Sequence, residues 1–283
     1  MLHSVRNYDL FYSVRLMDNR PIGIFDSGIG GLTVASELHR VLPNESILYF
    51  GDTVHLPYGD KSVGAITTYS QQIAELLLAK NCKAILIACN SASAVAYNTV
   101  KHLAGTSIPV FNVIDPVVQH VSVAFPTSKV GVIGTRATIA SDVYRSRLIR
   151  LSSTIEVKQK STSLLAPMIE EGFHDDTISQ AVIHAYLEDE MFNGMEALIP
   201  ACTHYPLIAK EIQAYFGDKV SVINAPRAVA EHIKVHLAEK RMLSGDHRPE
   251  LHFLVSDLTS SFQKSAAIFF GEKVRLEEWK MPR

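Results

Sequence analysis

Two stretches of this chain each end an apolar, strand-like run on a cysteine and continue with polar residues and a helix-like pattern. Residues 84–94 contain Cys89, and residues 197–206 contain Cys202. In an open parallel sheet, the carboxyl ends of the strands form the edge where ligands bind. Backbone N–H groups at the start of a following helix stabilise a thiolate and so lower the pKa of a thiol. The matched pair therefore predicts a reaction that needs two bases.

The elements that would position these cysteines alternate between strands and helices. Strands are predicted at 21–25, 47–50, 84–88, 110–114, 129–133, 155–160, 197–201, 220–224 and 251–255. Corresponding strand ends in the two halves lie roughly 110 residues apart, which is the mark of a repeated unit. The pattern predicts an α/β fold of two pseudosymmetric, doubly wound domains with mainly parallel sheets, and an active site in the cleft between them.

Helices and domain boundaries complete this prediction. Helices are expected at 32–42, 62–80, 92–103, 117–125, 141–150, 177–192, 226–241 and 258–270, with a loop at 166–172. The first domain would comprise residues 21–115 together with 226–283, and the second residues 116–225. Residues 1–20 are expected to form an N-terminal extension, disordered at least in part, with Met17 as an alternative start.

A glycine-rich loop, residues 26–31, follows the first predicted strand. The preferred interpretation is a loop whose backbone grips a small anion while Asp26 points at the site. A nucleotide-binding loop is the alternative, but the third glycine of G-x-G-x-x-G and the Lys-Ser/Thr of a P-loop are both missing.

Composition excludes several classes of protein. The 283 residues are 47% apolar, with a formal net charge of -2, so nucleic acid and anionic membranes are not expected as partners. Three cysteines without a C-x-x-C spacing disfavour a disulfide framework and a zinc site, and Cys202-x-His204 would be only half of a metal site. No signal peptide or membrane span is recognisable, so a cytoplasmic location is expected.

Five segments, taken together, resemble the cofactor-independent aspartate/glutamate racemase family. In family order they are GIFDSG at 23–28, GD at 51–52 with PYG at 57–59, ACNSASA at 88–94, GVIGT at 131–135 and CTHYPL at 202–207. The resemblance implies an isomerase that interconverts L- and D-glutamate without pyridoxal phosphate or metal. It also implies that the product supplies peptidoglycan synthesis and that the enzyme is a homodimer.

The resemblance also implies roles for individual residues. Cys89 would take the α-proton from D-glutamate and Cys202 from L-glutamate, with Asp26 and His204 as partners of the two thiols. Glu170 matches a further functional acid. Substrate-binding residues are expected at Asp26, Ser27, Pro57, Tyr58, Gly59, Asn90, Ser91, Thr203 and His204. Asp52 and Thr135 are additional candidates.

Several alternatives stay open. Asp52 could be a strand-end acceptor, Glu170 an ordinary acid at a helix start and Tyr58-Gly59 a simple turn. Ser91 stands where the family usually has Thr, and Pro200-Ala201 replaces an aliphatic residue and Gly, so the fit of the substrate is the feature most open to change. The competing functions are a racemase of aspartate or a related amino acid and a non-catalytic, two-lobed amino-acid-binding protein.

Overall fold

The computed structural model describes residues 17–174, 176–245 and 247–280. The expectation of a disordered extension lies, for residues 1–16, outside this described part. None of the helices within it combines the length and the apolar character needed to cross a membrane.

Two β-sheets organise the fold. The strands are β1 (Ile22–Asp26), β2 (Ile47–Gly51), β3 (Ala84–Ile87), β4 (Val110–Asn112), β5 (Lys129–Gly134), β6 (Glu156–Ser161), β7 (Ala197–Ala201), β8 (Ser221–Val222), β9 (Leu251–Val255) and β10 (Leu276–Glu278). The first sheet has the strand order β10-β9-β2-β1-β3-β4, and the second has the order β6-β5-β7-β8. Every pairing between these strands is parallel.

The two sheets share one topology. The order β2-β1-β3-β4 in the first sheet is repeated by β6-β5-β7-β8 in the second, so the prediction of two similar α/β halves with parallel sheets is confirmed. We call the six-stranded sheet with its helices the first unit, and the four-stranded sheet with its helices the second unit. The first unit takes β9 and β10 from the end of the chain. The domain boundaries at 115/116 and 225/226 stay a prediction.

Helices cover both faces of the first sheet. The helices are α1 (Leu32–Val41), α2 (Val63–Ala79), α3 (Asn90–Val95), α4 (Tyr97–Ala104), α5 (Asp115–Ala124), α6 (Arg136–Ala140), α7 (Val143–Leu151), α8 (Leu165–Glu170), α9 (Thr177–Leu187), α10 (Ala209–Phe216), α11 (Ala225–Glu239) and α12 (Ser260–Phe270). Because side chains alternate along a strand, Ile24 packs with residues of α1 and α11 whereas Phe25 packs with residues of α2 and α4. The sheet is therefore doubly wound, as predicted.

Two predicted helices differ from those of the structure. The helix expected at 92–103 begins earlier, at Asn90, and is interrupted at Ala96, so it forms α3 and α4. The helix expected at 141–150 is preceded by the separate helix α6. Asp142 adopts a left-handed backbone conformation with φ of 56° between α6 and α7. A residue in the left-handed conformation interrupts a helix. No hydrophobic pattern marks this conformation, so the sequence did not predict the break.

Three further expectations are corrected. The loop expected at 166–172 contains α8, because Pro167 is the third helical residue, where its missing N–H has no intrahelical acceptor to lose. The helix expected at 177–192 ends at Leu187. Strand β10 was not expected. It has three residues at the edge of the sheet and depends on pairing with β9, which local sequence does not specify.

Candidate active site

One cavity of about 210 Å³ lies where the carboxyl ends of the two sheets face each other. Its lining residues are Ser27, Gly28, Leu56, Pro57, Tyr58, Gly59, Cys89, Asn90, Ser91, Thr135, Ala166, Pro167, Glu170, Cys202, Thr203 and His204. Of the predicted site residues, only Asp26 and Asp52 are absent from this lining. Residues from six separate stretches of the chain therefore meet at one place.

Volume alone would point elsewhere. A larger groove of about 590 Å³ runs beside α10 and the segment 222–226. Its charged lining residues are Lys210 and Asp218, and it has no cysteine or histidine. The smaller cavity holds two thiols, an imidazole and a carboxylate, so the chemistry of the lining makes it the candidate site.

Cys89 lies at the N-cap of α3, after the strand that the sequence predicted. Its Sγ donates to Oγ of Ser27 at 3.7 Å. Burial, followed by the negative charge of Asp26, raises the pKa of the Cys89 thiol to about 12, although the backbone N–H of Ala92 acts in the opposite direction. The lowering expected from the helix start is therefore wrong for Cys89, because removal from water outweighs the helix N–H group. In the free protein Cys89 is a neutral thiol.

Asp26 is completely buried at the end of β1, beside the cavity. Its Oδ2 accepts hydrogen bonds from the backbone N–H groups of Gly31 at 2.9 Å and Gly28 at 3.2 Å, and among the described residues its Oδ1 has no hydrogen-bond partner. Burial raises the pKa of Asp26, even though the charge of His204 and the backbone N–H groups favour the carboxylate. The loop thus folds around Asp26, and the carboxyl group is placed to act on Cys89 through its charge.

Cys202 has a different setting from Cys89. It follows β7 in a turn, and a 3₁₀ turn at Tyr205–Ile208 separates it from α10. The predicted transition from strand to helix is therefore less direct at this thiol. The Nδ1 atom of His204 lies 3.6 Å from Sγ of Cys202, and Nε2 lies 2.8 Å from Oε1 of Glu170.

His204 is buried between the thiol and the carboxylate. Burial by itself lowers the pKa of His204, but its hydrogen bonds to Cys202 and Glu170 raise it to about 10. A protonated ring donates from Nδ1 to the sulfur and from Nε2 to the carboxylate. Cys202, His204 and Glu170 thus form a connected chain of polar groups on the wall opposite Cys89. Across the described ranges, no group of three or more His, Cys, Asp or Glu side chains is placed to hold a metal ion.

Asp52 anchors the loop that carries Pro57, Tyr58 and Gly59 into the cavity. Its Oδ2 accepts a hydrogen bond from the hydroxyl of Tyr58 at 2.6 Å, and its Oδ1 accepts one from Oγ of Ser256 at 3.0 Å. Nδ1 of His55 lies 2.9 Å from both carboxylate oxygens. Asp52 therefore lies behind the lining and holds the loop in place.

Two polar residues at the seam between the units escaped the sequence analysis. The hydroxyl of Tyr144, on α7, donates to Oδ1 of Asn90 at 2.8 Å. Oγ1 of Thr138 lies 3.1 Å from Oγ1 of Thr135, which in turn lies 2.9 Å from Oγ of Ser91. The T-x-x-T spacing of Thr135 and Thr138 could have identified a helix cap, but nothing local marks Tyr144 as a neighbour of Asn90.

Comparison with protein families identifies the family of this chain. Residues 32–233 match the model of the Asp/Glu/Hydantoin racemase family. The chain belongs to this family. A glutamate racemase of Chlorobaculum tepidum is 37% identical over 261 residues, which cover 92% of this chain and 96% of that relative.

Solved structures agree with the family match. A glutamate racemase of Francisella tularensis in complex with D-glutamate has a TM-score of 0.87 and 38% identity, and the match covers 94% of this chain and 99% of that one. A glutamate racemase isoform of Bacillus anthracis has a TM-score of 0.88 and 32% identity, with the same coverage of 94% and 99%. As a member of the Asp/Glu/Hydantoin racemase family, this chain is an isomerase, specifically an amino-acid racemase.

Proposed function

We propose that this racemase interconverts L- and D-glutamate by means of two thiols, without a cofactor. The observation that carries the proposal is that Cys89 and Cys202, one from each unit, line the same cavity. The relatives support glutamate as the substrate, since they are glutamate racemases and one was solved with D-glutamate. In this proposal the enzyme acts in the cytoplasm and supplies D-glutamate for peptidoglycan.

Inversion of an α-carbon requires a base on one face and an acid on the opposite face. In the L-to-D direction, the thiolate of Cys202 removes the α-proton, and Sγ–H of Cys89 gives its proton to the other face. One C–H bond breaks and another forms, and the negative charge passes from Cys202 to Cys89. The D-to-L direction runs the same steps in reverse.

The electrostatics of the free protein support this assignment. The raised pKa of Cys89 keeps it as a thiol, which is the form that donates a proton. A protonated His204, 3.6 Å from Sγ of Cys202, stabilises a thiolate at that sulfur. Glu170 supports the charge on the ring through its 2.8 Å contact. Cys89 is thereby prepared to donate its proton in the L-to-D direction.

The remaining lining residues serve to bind the substrate. Ser27, Asn90, Ser91 and Thr203 supply hydroxyl and amide donors for the carboxylates of glutamate. Donors that are fixed before the substrate arrives stabilise the charge that develops when the α-proton leaves. The hydroxyl of Ser91 is already bonded to Thr135, so it is held in place without the substrate.

The test is proton NMR in heavy water with L-glutamate and D-glutamate in separate samples and aspartate as the control. We expect loss of the α-proton signal with both forms of glutamate, together with formation of the opposite enantiomer. Cys89→Ala and Cys202→Ala should each abolish racemisation, because each removes the acid or the base on one face.

Other outcomes distinguish the alternatives. Exchange of aspartate but not glutamate would make the protein an aspartate racemase. Glutamate binding without exchange would favour a non-catalytic binding protein. Racemisation that survives in both cysteine variants would contradict the two-thiol mechanism.

The proposal also includes the quaternary and domain organisation. We propose a homodimer, with residues 21–115 and 226–283 as one domain and residues 116–225 as the other. Sedimentation velocity of the full chain tests the dimer, and a single species with the mass of one chain would contradict it.

A further inference from the structure

His204 belongs to the second unit, but two contacts from the first unit reach the ring and the residue before it. The ring of Phe269, on α12, meets the imidazole edge to face, with 5.2 Å between centroids and 85° between planes. Oγ1 of Thr33, at the start of α1, donates to the backbone carbonyl of Thr203 at 2.8 Å, and the two residues are 170 positions apart. The contacts join α1 and α12 to the turn that carries the second thiol.

Gly30 leaves the space in which this imidazole lies. A Cβ atom at Gly30 would be 2.4 Å from Cε1 and 2.6 Å from Nδ1 of His204, and 2.7 Å from Oγ1 of Thr203. Real Cβ atoms essentially never approach another atom within 3.0 Å. The φ angle of Gly30 is not in the left-handed region, so the backbone does not require glycine there. Its hydrogen side chain is needed because the ring lies so close.

The contacts in the plane of the His204 ring do not by themselves fix its position. Nδ1 contacts Cys202 and Nε2 contacts Glu170. The side chain of Glu170 is 31% exposed at the end of a short helix, so it is less constrained than a fully buried group. The contact between Nδ1 and the sulfur, at 3.6 Å, weakens if the ring moves away from Cys202. The first unit supplies a contact to the ring through Phe269 and a contact to the backbone before it through Thr33, and both of these residues are buried.

We infer that Gly30, Thr33 and Phe269 are positioning residues that hold His204 against Cys202 from across the cleft. Thr33 fixes the turn at Thr203, Phe269 fixes the plane of the ring, and Gly30 admits the ring to this place. The inference rests on the proposed racemase function, since it assigns these residues to the wall that serves Cys202. Gly30 and Phe269 both lie outside residues 32–233, the part that matches the family model.

The first test compares Thr33→Val with Thr33→Ser in the full-length protein. Valine has the shape of threonine without the hydroxyl, whereas serine keeps the hydroxyl. We expect Thr33→Val to lower kcat by about ten- to a hundredfold with little change in KM, since small misplacements of a catalytic group have effects of this order. In Thr33→Ser, kcat should stay within about threefold of the wild-type value, because the hydroxyl is kept and only a fraction of one hydrogen bond's free energy is lost.

The second test compares Gly30→Ala with Gly64→Ala. Gly64 lies near the start of α2, and a Cβ atom added there would meet nothing within 4 Å, so it serves as a matched control for the substitution. We expect Gly30→Ala to lower kcat as strongly as Thr33→Val, and Gly64→Ala to leave the rate unchanged. Phe269→Leu, which keeps an apolar side chain, provides an independent variant.

The readout specific to positioning is the rate at which iodoacetamide alkylates each cysteine, followed by mass spectrometry of the peptides. In Thr33→Val and Gly30→Ala, the alkylation rate of Cys202 should change by about threefold or more, because the protonated His204 beside its sulfur has moved. The rate at Cys89 should stay as in the wild type, and a general loosening of the structure would change both.

The possible results separate the two ideas. If the wild type racemises glutamate but Thr33→Val matches it in kcat and in Cys202 alkylation, the positioning inference is wrong and the proposed function stands. If the wild type does not racemise glutamate, the proposed function fails. The alkylation rates then still decide whether Gly30 and Thr33 position His204, because they do not depend on turnover.

Discussion

The hydrogen bond from Tyr144 to Asn90 leads to a quantitative prediction for Tyr144→Phe. The hydroxyl of Tyr144 is buried and donates to Oδ1 of Asn90 at 2.8 Å. This contact holds the amide oxygen of Asn90 toward Tyr144. Loss of such a bond costs about 0.5–1.5 kcal/mol net. The variant should therefore lose roughly two- to tenfold in kcat/KM for glutamate, and about 1 kcal/mol in the free energy of unfolding.

The assay is racemisation of each enantiomer, followed by chiral chromatography, together with urea denaturation. Because L- and D-glutamate have equal free energies in water, kcat/KM must fall by the same factor in both directions, which is an internal check. Asn90→Ala provides the decisive background. If Tyr144 acts through Asn90, Tyr144→Phe should have no further effect on kcat/KM in Asn90→Ala. Equal losses in both backgrounds would refute the reasoning.

Three further predictions concern a buried ion pair, the ionisation of His204 and the loop that Asp52 holds. Lys83 and Glu45 form a buried ion pair at 2.5 Å, so Lys83→Met should lower the free energy of unfolding by about 3–5 kcal/mol. Glu45→Leu added to it should recover only part of the loss, because the other hydrogen-bond partners of the two side chains stay unpaired. Urea denaturation of both variants checks this, and an effect below about 1 kcal/mol for Lys83→Met would contradict it. The raised pKa of His204 contributes to the free energy of unfolding; this contribution is complete below pH 6.5 and is lost as the pH rises through about 10. Urea denaturation between these limits should therefore show that the wild type loses stability relative to His204→Gln. Parallel plots of stability against pH for the two proteins would contradict this. Ser256→Ala should raise KM for glutamate by roughly two- to tenfold and leave kcat nearly unchanged, because Asp52 loses one of the hydrogen bonds that hold the substrate-binding loop. Steady-state kinetics test this, and an unchanged KM would show that the loop does not depend on Ser256.

Much of the fold was predictable from local sequence. The apolar runs before Cys89 and Cys202 are of strand length, and the polar residues after them end the strands, so the two thiols could be placed at the carboxyl edge. The equal spacing of strand ends predicted the repeated topology. The errors arose where local signals mislead: Pro167 suggested a loop inside α8, and β10 forms only by pairing with β9.

The sequence by itself determined which chemical groups are present and which strand ends carry them, because strand length, caps and turns depend on neighbouring residues. The tertiary structure decided the state of those groups. Burial and the charge of Asp26 raise the pKa of Cys89, the opposite of what its helix start predicts. Thr33 reaches Thr203 across 170 residues. Desolvation and contacts of this kind depend on residues that only the folded chain brings together, so no local pattern encodes them.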